Sequence, residues 1–315
     1  MDDLALIRQN PKLSAITVSQ WRIAILAGLT LLAIIGIGTS SCSIKRTIKT
    51  NVPQKILQAK SATYDELLSL IKSYDRLFSL QSNDIRITFT SGKKESGQLQ
   101  EFPRAPGYIL LKRPDSMFLA VQMPITKSAI LNLSSVGDEF CAWIPRELKF
   151  YTGENSAKEL FVGDLPNSPG FTIRATHLFE AVLPKDLVPD SPGIRISLIE
   201  DSDAEASYYV LSIQRDGPSS RSYPIREVWI ERSGLTLARH KTYLEDGQLL
   251  SDIKYSGEIQ IDGFSLPLKI HIDRPTDGYT LDMEFKKWSV NPELPDEVFL
   301  MKPPPGAQVI ALRQK

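Results

Sequence analysis

Apolar and polar residues follow two different periods along this chain. Over TYDELLSLIKSYDRLFSL, the residues Tyr64, Leu67, Leu68, Ile71, Tyr74, Leu77 and Phe78 recur every three or four positions, which gathers them on one face of a helix. Thr63 and Glu66 stand three apart at its start, the spacing of a capping box. The stripe predicts a helix ending near Leu80. From Asp84 the period becomes two: in DIRITFT, Ile85, Ile87 and Phe89 alternate with Arg86, Thr88 and Thr90, the pattern of a half-buried strand.

Short β-prone runs then follow one another, including GYILLKRPD, SMFLAVQMP, SAILNLSSVGDEFCAWIP and ELKFYTGE, each ended by Pro, Gly, Asp or Asn. Regularity fails over the proline-rich stretch 155–192, where one short helix is predicted from Thr176 to Leu183. The strands resume at GIRISLIE and continue to YTLDMEFKKWSVNP. Asp246-Gly247 and Asp262-Gly263 sit between such runs, a strong hairpin signal. The expectation is a mainly β (α+β) chain of about ten or eleven antiparallel strands in a meander. Curled, such a sheet makes an incomplete barrel whose concave face the amphipathic helix covers, leaving an apolar pocket. The same residues equally suit a filled core.

The start of the chain has another pattern. Arg22 precedes an apolar run from Ile23 to Ile37, then Gly38, Thr39, Ser40, Ser41 and Cys42. A positive flank, an apolar stretch and small residues before a cleavage point make an export signal. Residues 1–41 are therefore expected to be removed, with Cys42 lipid-modified by palmitate-type acyl chains. An uncleaved anchor is the rival, because extending the run through Ile44 reaches bilayer length. Residues 42–62, polar and basic, read as a tether, and 63–315 as a single domain.

Beyond residue 41 the chain carries 34 cations and 35 anions, and basic tracts with interleaved aromatics are absent, which sets nucleic acid aside. Cys141 is the one cysteine after Cys42; it lies in an apolar run and is expected to be a buried, inert thiol. His177, His240 and His271 have no metal-like spacing to another ligand, and His240 and His271 are read as solvent-facing. The acidic stretch Glu200–Ser207 lacks the spacing of a calcium loop and is expected to be exposed. No G-x-S-x-G, P-loop or G-x-G-x-x-G occurs. Neither catalytic residues, nor a metal, nor a cofactor is assigned. An envelope hydrolase with dispersed carboxylates stays a minor alternative, since that chemistry has no fixed spacing.

The order of parts resembles the LolA/LolB-like lipoprotein-sorting family: an export signal, a basic tether, the helix SATYDELLSLIKSYDRLFSL leading into an alternating strand, and GYILLKRPDSMFLAVQMPITKSAILNLSSVGDEF. Near the end, Leu294, Pro295, Phe299, Pro305 and Gly306 match the family's L-P-x-x-x-F…P-x-G segment. The resemblance spans roughly 42–312, outside the proline-rich excursion. It implies an unclosed β-barrel with a helical lid and an apolar cavity for acyl chains. The cavity-lining candidates are Leu68, Ile71, Phe89, Leu119, Val121 and Trp143. By position, Ile125 in the turn Met123-Pro124-Ile125-Thr126 is either a membrane-inserting residue or a packed one. The expected function is a membrane-tethered, non-enzymatic acceptor of lipid or lipoprotein acyl chains, LolB-like, monomeric, facing the periplasm from the outer membrane, with a periplasmic carrier protein as partner. The alternative is a structural or protein-interaction envelope lipoprotein with a filled barrel.

Overall fold

The computed structural model describes residues 56, 58–92, 100–156, 174–217 and 221–312, and Val52–Lys315 forms a compact unit. The export segment, Cys42 and most of the tether lie outside the described residues, as do 157–173 of the proline-rich excursion. Among the described residues no helix is long and apolar enough to cross a membrane.

Helix α1 (Tyr64–Ser73) starts where its capping box places it. Thr63 accepts from the Glu66 amide, and the Glu66 carboxylate accepts from the Thr63 amide at 2.7 Å, which satisfies two end donors reciprocally. Leu67 and Ile71 are buried. The helix is shorter than the stripe predicts. A 3-10 turn at Tyr74–Arg76 follows, and the chain is extended by Leu77. The reason is tertiary: strand β1 (Ser79–Ser91) begins at once, and Leu80 pairs with Leu111 on one side and Val290 on the other.

The sequence continues as β2 (Gln100–Lys112), β3 (Ser116–Gln122), β4 (Ala129–Val136), β5 (Glu139–Ile144) and β6 (Lys149–Glu154). Helix α2 (Ala175–Val182) then precedes β7 (Ile194–Ser202), β8 (Ser207–Asp216), β9 (Ser222–Glu231), β10 (Thr236–Tyr243), β11 (Leu249–Ile261), β12 (Phe264–Arg274) and β13 (Tyr279–Phe285). The two-residue β14 (Ser289–Val290) and β15 (Gln308–Ala311) complete the set. The fifteen strands among the described residues belong to one sheet, ordered β15-β6-β5-β4-β3-β2-β1-β13-β12-β11-β10-β9-β8-β7, with β14 beside β1. The sheet is unclosed, its ends being β15 and β7. Among the described residues every pairing is antiparallel except β15 on β6.

The topology is two meanders back to back. One runs from β1 outward to β6; the chain then crosses by α2 to the far edge, and β7 to β13 return to pair with β1. The strand count exceeds the expected ten or eleven for a local reason. SAILNLSSVGDEFCAWIP is a hairpin folded at Gly137 (φ 60°), not one strand, while β14 and β15 are too short to show alternation. At Asp262-Gly263 the expected two-residue hairpin forms, with φ of 50° and 79°, the left-handed pair a type I′ turn needs.

Candidate functional site

Alternation along the strands sorts the sheet into two faces. Ile109, Leu119, Leu133, Ala142 and Tyr151 lie in register across β2 to β6, and Leu211, Val228, Ile253 and Ile272 across β8, β9, β11 and β12; all are buried. They join one apolar cluster with Leu67 and Ile71 of α1 and Leu178, Phe179 and Val182 of α2. Both helices therefore cover the inner face, and α2 touches strands of both meanders, β4 and β12. Burying apolar surface drives this packing at about 25 cal/mol per Å².

The cover is also held by a few polar contacts. Arg113, in the turn between β2 and β3, donates through Nε to Leu77 O at 2.7 Å and through Nη2 to Pro184 O at 2.8 Å, with Tyr74 O at 3.4 Å. One guanidinium thus bridges the exit of α1 and the exit of α2. Burial presses the Arg113 pKa below its usual value, but an arginine remains charged. Tyr255 Oη donates to Ala181 O at 2.8 Å. Arg226 bonds both the Glu180 carboxylate, at 3.2 Å, and Asp186 O. His177 Nδ1 lies 2.8 Å from Tyr279 Oη, and burial, reinforced by Arg274 and Arg174, drives its pKa down to about 2. At neutral pH the ring is uncharged.

His240 departs from the expectation of a solvent-facing histidine. It is fully buried on the inner face, opposite Val228 and Ile253. A bulge between Leu237 and Arg239 shifts the alternation, so a register counted from Leu237 assigns the ring to the wrong side. Burial, with Arg226 close by, lowers its pKa to about 3. His271 is partly exposed as expected, its Nδ1 2.7 Å from Asp282.

Of the six cavity candidates, Ile71, Phe89 and Leu119 are buried in the inner cluster, and Leu68 and Val121 pack against it. Trp143 stands on the outer face. Its register partners are Asn132 and Phe150, while its neighbour Ala142 faces the core beside Leu133 and Tyr151. Ile125 is 92% exposed and Met123 beside it is exposed too, so the turn between β3 and β4 presents apolar side chains outward instead of packing them. Cys141 is partly buried under the C-terminal segment, its Sγ 3.9 Å from Met301 O, and burial raises its pKa to about 11. Glu200–Ser207 spans the end of β7 and an exposed turn in which Asp203 accepts from the amides of Glu205 and Ala206. Among the described residues no cluster of His, Cys, Asp and Glu has a metal-binding arrangement.

Two grooves open on the outer face. One, about 720 Å³, is polar and includes Tyr208, Trp229, Arg239, Lys254, His271 and Asp282. The other, about 840 Å³, runs along the C-terminal segment past Cys141 and Phe299. Neither is lined by any of the six cavity candidates. Phe299 of the terminal motif is buried there, with Ser134 Oγ donating to its carbonyl. Sequence reasoning passed over Arg113, Arg226 and Tyr255. Their partners are backbone carbonyls 36 to 74 residues away, and a carbonyl leaves no mark in the sequence.

A sequence-family profile described as an uncharacterized protein matches residues 191–302, and no curated protein matches. Among solved structures, a LolA superfamily protein from Nitrosomonas europaea is 15% identical, with 76% of this chain and 99% of that one covered and a TM-score of 0.45. The chain is similar to LolA-superfamily proteins. A DUF1329 family protein from Desulfovibrio piger (14% identity, 74% and 94% covered, TM-score 0.48) and a putative outer membrane lipoprotein-sorting protein domain from Vibrio parahaemolyticus (10%, 74% and 95%, 0.45) are similar as well.

Proposed function

We propose that this chain is a membrane-tethered envelope protein, non-enzymatic and LolB-like, that takes acyl chains of lipids or lipoproteins between its inner sheet face and the two covering helices. The observation that carries the reading is the Arg113 bridge. The cover over a largely apolar face is fastened by a guanidinium holding backbone carbonyls of both helix exits, a fastening that releases without breaking any strand pairing. Acyl burial supplies about 0.8 kcal/mol per methylene, so twelve methylenes bring roughly 10 kcal/mol, enough to offset displaced packing. A bilayer offers the same apolar environment, which lets the cargo leave. Cys42 serves as the lipid anchor, with the domain facing the periplasm from the outer membrane, and exposed Ile125 dips into the bilayer. The protein acts as a monomer that receives cargo from a periplasmic carrier.

The test is to purify Ser43–Lys315, extract it, and identify co-purified lipids by mass spectrometry. A stoichiometric acyl ligand, lost in Val121→Arg or Leu68→Arg, is the expected result. A lipid-free protein that also refuses added fatty acids and lipopeptides refutes the reading. That outcome favours the second one, a filled barrel with protein partners, for which the β7 edge, unpaired on its outer side among the described residues and bearing exposed Leu198 and Ile199, speaks.

A further inference from the structure

A polar island interrupts the apolar inner face beneath the last turn of α2. Arg226 and His240, on adjacent strands β9 and β10, face the core side with Tyr255 of β11. Tyr255 spends its single proton on Ala181 O. The 3.1 Å contact between Tyr255 Oη and His240 Nδ1 is therefore donated by the histidine, which fixes the neutral ring as the Nδ1–H tautomer. His240 Nε2 is left as a bare acceptor with no partner among the described residues. Arg226 commits its two terminal nitrogens to Asp186 O and Glu180, and its buried Nε–H also has no partner among the described residues. One fully buried acceptor and one buried donor thus stand unmet on adjacent strands, whose side chains reach the last turn of α2 through Tyr255 and Glu180. A buried donor or acceptor left unmet carries its full desolvation penalty, so the arrangement is costly for a site that only packs.

We propose that this island recognises the polar linkage of an acyl ligand: His240 Nε2 accepts from a ligand donor, and Arg226 Nε–H donates to a ligand acceptor. The inference rests on the acyl-binding reading above and sharpens its ligand class. The group that fits carries both a donor and an acceptor next to the chain, as a secondary amide or a hydroxyl does; an ester, which only accepts, leaves His240 unmet. The ligand reaches the island when the chain beyond Val182 lifts, the Tyr255–Ala181 bond that fixes the tautomer staying in place. Leu178 and Val182 of α2 and Val228 and Ile253 of the sheet, all in the same buried cluster, then flank the hydrocarbon.

The test is displacement of a fluorescent fatty acid from the full-length, delipidated protein held in amphipol, using N-methyldodecanamide, dodecan-1-ol and methyl dodecanoate. The amide or the alcohol should displace the probe at about one-tenth the concentration of the ester, relative to their ratio in His240→Phe; whichever shows the advantage names the linkage. Arg226→Lys, which keeps the charge and loses Nε–H, should lose the advantage, and His240→Gln should retain part of it. Equal ratios in the native protein and in both disabling variants overturn the site while leaving acyl binding intact. Failure of the fluorescent fatty acid to bind at all overturns both.

Discussion

Replacing Arg113 by methionine isolates the fastening from the packing, because the thioether retains most of the aliphatic stem. Two hydrogen bonds of good length, to Leu77 O and Pro184 O, are lost along with the longer one to Tyr74 O. A hydrogen bond to a charged group contributes about 1.5–3 kcal/mol. Arg113 is only half-buried, and its two carbonyl partners regain water when the turn opens, so the net loss should be about 2–3 kcal/mol. The loss should be local. Opening of α2 is reported by the Leu183 amide, which bonds Phe179 O at 2.8 Å; strand amides such as those pairing Ile109 with Leu119 report global unfolding. In native-state hydrogen exchange, Leu183 should exchange about 30- to 150-fold faster in Arg113→Met, at 1.4 kcal/mol per tenfold. The β2–β3 amides should change far less. Arg113→Lys, with one compact donor group in place of a fork, should fall between. Equal acceleration at Leu183 and in the strands would refute the idea that Arg113 fastens a cover, and would make it a general structural residue.

Two further outcomes follow from the same buried chemistry. His177 and His240 are neutral in the folded state with pKa values near 2 and 3, against about 6.5 unfolded, so the unfolded chain binds more protons below pH 6.5. Their stabilising contribution is complete above pH 6.5 and falls as the medium acidifies, by up to about 1.4 kcal/mol per pH unit for each. Chemical denaturation between pH 6.5 and 4.5, above the range where most carboxylates titrate, should show that slope, and His177→Gln should roughly halve it; an unchanged slope would exclude His177 as a source. Cys141, its pKa raised to about 11 by burial under the C-terminal segment, should react with a disulfide reagent at pH 7.5 orders of magnitude more slowly than a free thiol. Rapid labelling of the folded protein would show the segment to be open.

Local chemistry was legible in the sequence, and geometry that depends on distant partners was not. Thr63 and Glu66 announce α1, and Asp262-Gly263 announces a turn, because each rests on residues a few positions apart. The end of α1 is hidden since Leu80 is claimed by Leu111 and Val290. His240 misleads because one bulge inverts the inside and the outside of a strand. Trp143 misleads as a cavity-lining candidate because both faces of β5 carry apolar side chains once the C-terminal segment covers the outer one. The inner face was foreseen as a class of surface; Arg113 and the polar island were not, since a side chain reaching a main-chain carbonyl places no demand on its partner's identity.

The seam between β1 and β13 has a consequence for how the protein is made. Within each meander every strand pairs with the one just synthesised, so both halves form from hairpins. β1 is different: its second full-length neighbour starts at Tyr279, about 125 residues after β6 ends at Glu154. At translation speeds of about 5–20 residues per second, roughly 6 to 25 seconds pass between the end of β6 and the start of that partner, and the edge bearing Ile85, Ile87 and Phe89 stays open throughout. A chain cut short anywhere before Tyr279 keeps that edge permanently open, as a template for its own copies.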